Sequence, residues 1–257
     1  FPFDISDIAL KIENLHNELS DNLHEIDIEE ISFSIIHSVI KAKNITLSPK
    51  VNSTNKTDNR FTVKVPEVKL KSPYVEKFYN SDTIPITSLT LQNPDIKINF
   101  GGIVQKGTPL NEINFYKLIE KNFKWVRIDT FSITNANLEL YPNKAKKPDQ
   151  VISDCSICFY NFLADSDSYK EKDRILSSSN LCILINKYIL YHSDRIHYLS
   201  INKINADTRI NKVTTGYIAF KPFKSKLENK QNTLIDIKSN GLSFSGVNFH
   251  ELYHNKR

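Results

Sequence analysis

The chain has 257 residues, 40% of them hydrophobic and 25% charged, with a formal net charge of +5 at pH 7. This balance excludes wholesale disorder, a collagen-like repeat and a disulfide-dense mini-domain, and the length allows one large domain or two modest ones. Six glycines and 10 prolines are too few for a Gly-rich barrel or a low-complexity linker. Methionine is absent and the chain opens on Phe1, so it reads as a fragment of a longer protein. The most apolar runs, Ile31 to Ile40 and Leu181 to Leu190, fall short of the ~20 residues that a membrane-spanning helix needs. No signal peptide opens the chain.

In chain order, Ile5, Ile8, Ile12, Leu15 and Leu19 recur at steps of three and four. That spacing predicts an N-terminal amphipathic helix within residues 1–24, with Asp4 or Ser6 as its cap. Residues 25–257 read mostly as strand: Ile, Val, Thr, Tyr and Phe alternate with polar residues in short runs such as Phe61 to Val65, Val68 to Leu70, Tyr217 to Phe220 and Leu234 to Ile237. Thr108-Pro109 marks the start of a second helix, with Phe115, Leu118, Ile119 and Phe123 as its apolar stripe. The polar stretch 143–150 is a surface loop and a candidate internal boundary. Its cluster Lys144-Ala145-Lys146-Lys147 reads as solvated loop. No aromatic and basic interleaving of the kind that stacks single strands occurs, so nucleic acid is not an expected partner. Cys155 and Cys158 have the spacing of half a zinc site, but no second pair exists and Cys182 stands alone, which favours structural cysteines.

One internal repeat organises the middle of the chain. Ile86, Leu89, Leu91, Asn93, Ile96 and Ile98 share their spacing with Ile128, Phe131, Ile133, Asn135, Leu138 and Leu140. The odd steps at the start and at Asn93-Pro94-Asp95 and Asn135-Ala136-Asn137 require a bulge or tight turn that switches the buried face. A second echo links Asn114-Phe115-Tyr116-Lys117-Leu118 with Asn248-Phe249-His250-Glu251-Leu252. Together these predict a mainly β, repetitive and elongated antiparallel architecture with two or three short helices, not a closed barrel.

The run Ile86 to Ile98 and its counterpart Ile128 to Leu140, with the Asn-Phe-x-x-Leu connector, resemble the AsmA-like group, relatives of the TamB and bridge-like lipid-transfer proteins. The resemblance spans most of residues 25–257. It implies a long twisted sheet folded into a groove, periplasmic placement with an inner-membrane anchor outside this chain, and a non-enzymatic role in lipid transport and outer-membrane biogenesis, with phospholipid or another acyl-chain ligand as partner. The candidate groove residues are Ile86, Leu89, Leu91, Ile96, Ile98, Ile128, Phe131, Ile133, Leu138 and Leu140. The same side chains could instead pack on each other inside a plain sandwich, which would make this a structural or adhesive module.

One sharp catalytic motif competes with that reading. His250-Glu251-Leu252-Tyr253-His254 matches H-E-x-x-H, in which two histidines bind zinc and the glutamate acts as general base. Only three residues follow His254, the preceding Leu242 to Val247 reads as strand and turn, and the motif coincides with the connector echo. A zinc hydrolase is therefore the alternative to a cofactor-free binding module. No Gly-rich phosphate loop, nucleophile elbow or convincing acid pair is present.

Overall fold

The computed structural model of the chain describes residues 9–18, 24–34, 36–50, 60–74, 82–100, 115–121, 123–142, 145–171, 173–194, 196–223 and 234–254. Fourteen strands form one twisted sheet. They are β1 (Ala9–Glu18), β2 (His24–Ser34), β3 (Val39–Pro49), β4 (Arg60–Lys71), β5 (Thr83–Gln92), β6 (Asp95–Asn99), β7 (Trp125–Tyr141), β8 (Gln150–Ala164), β9 (Asn180–Tyr191), β10 (His197–Asp207), β11 (Lys212–Thr214), β12 (Ile218–Pro222), β13 (Ile237–Ser239) and β14 (Ser243–Ser245). A short helix, α1 (Phe249–His254), follows them.

Several strands are halves of one row. β5 and β6 both lie between β4 and β7, interrupted at Asn93-Pro94. β11 and β12 share β10, and β13 and β14 continue outward from them. The sheet thus has eleven rows in chain order, spanning roughly 48 Å at ~4.8 Å per row. Neighbouring rows run antiparallel except at one place: β5 and β6 pair with β7 in parallel. A parallel pair requires a crossover, and the segment between Asn99 and Trp125 supplies it. The expected all-antiparallel sheet is therefore a mixed one.

The expected N-terminal helix is also corrected. Its described part is strand β1, paired along its length with β2; residues 1–8 and 19–23 lie outside the described residues. The step of three from Ile12 to Leu15 that suggested a helix has another cause. Asn14 between them adopts a left-handed backbone, φ 56°, which turns the strand over and brings residues three apart to one face. For the second predicted helix, Thr108-Pro109 lies outside the described residues, and Phe115–Leu118 forms a 3₁₀ turn. The turn continues through Phe123, whose N–H donates to the Ile119 carbonyl at 2.9 Å.

Asn14 belongs to a line that crosses the whole sheet. Asn44, Asn93, Asn135, Asp154 and Lys203 also have φ between 49° and 55°, and Gly241 has φ 107°. The strand registers place them side by side, with Glu29, Pro66, Asn186 and Gly216 filling the rows between. Asparagine and aspartate tolerate this conformation because their short polar side chains bond locally. Here they bond along the line: Asn44 Nδ2 donates to Glu29 at 2.6 Å, Asn135 Nδ2 to Asn93 at 3.3 Å, and Asn186 to Asp154. At Gly241 only glycine fits, because an added Cβ would sit 2.4 Å from the Thr215 carbonyl oxygen. A second, shorter line runs nearby through Ser38 (φ 52°) and Asn161 (φ 51°).

Around and beyond that second line the apolar face is sealed. Ile84, Ile86, Ile128, Phe159, Phe162, Ala164, Ile175 and Leu181 form the buried core, and Phe115, Ile119 and Phe123 of the crossover pack onto it with Phe249 and Tyr253 of α1. Phe115 meets Phe162 edge-on at 5.4 Å between centroids. At the opposite end of the strands the same device appears twice. Buried His24 lies opposite Pro49, which has no N–H, and its Nε2 accepts from the Phe61 N–H one row further at 3.1 Å. Buried His197 lies opposite Pro222, and its Nε2 accepts from the Ile235 N–H at 3.0 Å while its Nδ1 bonds Asp194 at 2.6 Å.

Two stability outcomes follow. Asn135→Val forces a β-branched residue into the left-handed region and lowers unfolding free energy by about 1–3 kcal/mol in urea titration, whereas Asn135→Gly stays within about 1 kcal/mol of the parent. His197→Leu removes the acceptor for Ile235 and the partner of Asp194 and costs about 1–3 kcal/mol in the same assay.

Candidate functional site

The two copies of the sequence repeat lie directly beside one another. Ile86 pairs with Ile128, Leu89 with Phe131, Leu91 with Ile133, Ile96 with Leu138 and Ile98 with Leu140, all in the parallel register of β5 and β6 with β7. Identical spacing in register places like beside like, and four of the pairs continue as apolar ladders into β8, at Phe162, Phe159, Ile157 and Ile152, whereas Ile98 and Leu140 meet Gln150 there. Leu91 and Ile133 extend to Val68 on one side and to Ile157 and Ile183 on the other. Ile96 and Leu138 extend to Val63, Ile152, Tyr188 and Ile201.

The ten candidate residues divide by burial. Ile86 and Ile128, at 6% and 4% exposure, belong to the sealed core, so they are removed from the set available to a ligand. Leu89, Leu91, Ile96, Ile98, Phe131, Ile133, Leu138 and Leu140 are half-buried. Leu89, Phe131 and Ile133 pack against the edge of the core, and Phe131 stacks on Phe159 at 5.0 Å. Past the line through Asn93 and Asn135 the main packing partners of the strands are their neighbours in the sheet, and no second sheet covers them among the described residues. A sandwich would bury these ladders; here they stop at half. Val63, Val68, Ile152, Ile157, Ile183 and Ile201 join the same face. Their alternation was visible in the sequence, but their ladder positions depend on registers between distant strands.

The opposite face is polar. Thr87, Asn93, Asp95, Lys97, Asn135 and Asn137 are exposed. Lys97 pairs with Glu139 at 3.2 Å, and the Tyr141 hydroxyl donates to Glu139 at 2.6 Å. The Tyr141 hydrogen bond, with the Lys97 ammonium, holds the Glu139 carboxyl below the usual carboxylate range. An open depression of about 430 Å³ lies here, lined in part by Thr62, Lys64, Asp95, Lys97, Asn137 and Ser153. Lys97 is engaged by Glu139, and Asn137 Nδ2 donates to Asp95 at 2.9 Å.

The H-E-x-x-H residues do fall on a helix, α1, and do other work there. Asn248 caps it: its Oδ1 accepts from the Glu251 N–H at 3.0 Å while its Nδ2 donates to the Glu251 carboxylate at 3.2 Å, so the Glu251 side chain holds the capping amide in place. His254 Nε2 bonds the Arg174 carbonyl at 3.1 Å, and Tyr253 is packed into the core. Among the described residues no group of three His, Cys, Asp or Glu is placed to hold a metal ion. Cys155 is buried on the apolar side between Ala136 and Ile185, and burial, with the Asp154 charge, pushes its thiol up. Cys158, three residues on, projects from the other face toward Ser132, with the two side chains 3.7 Å apart. The two cysteines of the C-x-x-C spacing are therefore on opposite faces and about 10 Å apart along the strand.

A capping role and a metal role for Glu251 separate experimentally. Glu251→Ala lowers stability by about 0.5–1 kcal/mol, Glu251→Gln retains most of it, and added zinc leaves the urea midpoint of the parent unmoved, whereas a zinc site would raise it. No protein-family model matches the chain, and no curated protein is significantly similar to it.

Proposed function

We propose that this chain is a non-enzymatic lipid-carrying segment whose half-buried apolar face holds acyl chains while headgroups remain in water. The observation that carries the reading is the ladder through Ile96 and Leu138 beyond the Asn93 and Asn135 line, which runs over nine rows from Ile26 and Leu47 through Val63, Ile152 and the Tyr188 ring to Ile201 and Ile218 with no second sheet over it among the described residues, whereas the next ladder, through Ile98 and Leu140, is broken at Gln150. An apolar face that stays partly exposed in row after row, with no covering layer among the described residues, suits a binding surface, because contiguous apolar patches on soluble folds commonly mark interaction sites.

The energetics suit a guest without a dedicated polar contact. Shielding each methylene gains about 0.8 kcal/mol, so a dozen shielded methylenes contribute on the order of 10 kcal/mol before ordering costs are subtracted. This nine-row ladder spans roughly 38 Å at ~4.8 Å per row, more than the ~15 Å depth of one leaflet's hydrocarbon, which gives room for more than one chain end to end. No helix among the described residues is long and apolar enough to cross a membrane. The resemblance to the AsmA-like group supports the same conclusion and extends it: an envelope protein anchored at the inner membrane through sequence outside this chain, serving outer-membrane biogenesis.

Native mass spectrometry of the purified chain tests the reading. Copurified phospholipid is expected, and the double variant Ile133→Asp/Leu138→Asp should lose it while retaining the β-sheet circular dichroism of the parent. A parent protein that is lipid-free and fails to bind a fluorescent fatty acid would reject it.

A further inference from the structure

We infer that Cys158 and Cys182 form a redox-active pair, a cross-strand site on the polar face where a disulfide staples β8 to β9. The two residues are directly opposed in the antiparallel register, so their side chains leave the sheet on the same face. Directly opposed residues have Cα atoms about 4.5 or 5.5 Å apart, depending on the hydrogen-bonding type of the pair; both values lie inside the 4.4–6.8 Å window of disulfides. The pairing excludes the third thiol. Cys155 is buried on the apolar face opposite Ala136, the wrong side of the sheet for either partner. In this structure all three are free thiols.

The surroundings set the order of events. Cys182 also lies opposite Asp207 on β10, which is held by Arg209 through a contact of 2.7 Å. Burial, followed by the Asp207 charge, pushes the Cys182 thiol up and disfavours its thiolate. Cys158 borders Ser132 instead and is half-buried. With a low-molecular-weight disulfide as oxidant, the Cys158 thiolate attacks one sulfur of that disulfide and releases one thiolate. Cys182 then gives its proton to solvent and attacks Cys158 Sγ, expelling the second thiolate. Two protein thiols are oxidised to one disulfide, and one external disulfide is reduced to two thiols. Cβ atoms of opposed strand residues sit near the upper limit for a bridge, so the staple is slightly strained and belongs to the reducible class.

Incubating the full chain with oxidised glutathione, followed by alkylation and peptide mapping, decides the matter. The expected product loses the mass of two hydrogens, yields a Cys158–Cys182 cross-linked peptide, and leaves Cys155 alkylated only after unfolding. Dithiothreitol should restore all three thiols. Cys182→Ser should instead accumulate a stable glutathione adduct on Cys158. A parent chain that forms only glutathione adducts, or a link involving Cys155, would overturn the assignment without bearing on lipid binding.

Discussion

The line of left-handed residues is the constraint on which the rest of this sheet depends. A strand normally keeps one set of alternate residues on each face, and a flat sheet eleven rows wide would present one unbroken surface. At Asn14, Asn44, Asn93, Asn135, Asp154, Lys203 and Gly241 the backbone turns over in register from row to row. The apolar set is thereby handed from odd to even positions without leaving its face. Each of these residues other than Gly241 costs conformational energy in a chain of L-amino acids, and at Asn44, Asn93, Asn135 and Asp154 side-chain hydrogen bonds running along the line offset it. Where two rows approach too closely for any side chain, Gly216 and Gly241 take over.

That constraint divides the apolar face into regions with different chemistry. On one side the crossover and α1 lay aromatic side chains over Ile84, Ile86 and Ile128 and close a conventional dry core. On the other, the ladders through Ile96 and Leu138 have neighbours above and below in the sheet but no opposing layer among the described residues. The sealed region supplies stability; the half-buried region retains unsatisfied apolar surface. The single parallel junction links them. The chain must travel back past the strand ends to start β7, and the returning segment is what covers the core.

Short motifs in this chain take their meaning from where the fold sets them. H-E-x-x-H lands on a six-residue helix in which the glutamate completes a cap and one histidine bonds a distant carbonyl. C-x-x-C lands on a strand, where a spacing of three puts the thiols on opposite faces and hands Cys158 a different neighbour, Cys182. In both cases the residue types suit the familiar chemistry, and the backbone geometry assigns them elsewhere.

Much of this was legible in the residues alone. The alternation of β-branched and polar positions declares strand wherever it appears, and the matched runs from Ile86 and Ile128, with odd steps at Asn93 and Asn135, declare a switch of face at those asparagines. Local backbone preference decides both, so they need no partner to be read. The tertiary structure alone decided the rest: that the matched runs lie side by side in parallel, that Ile86 and Ile128 are covered while among the described residues no second layer covers Leu138 and Leu140, and that the apparent helix from Ile12 to Leu15 is a strand with a turn-over in it. Those outcomes depend on register and coverage between segments far apart in the chain, and a period of three looks the same in sequence whether a helix or a left-handed asparagine produces it.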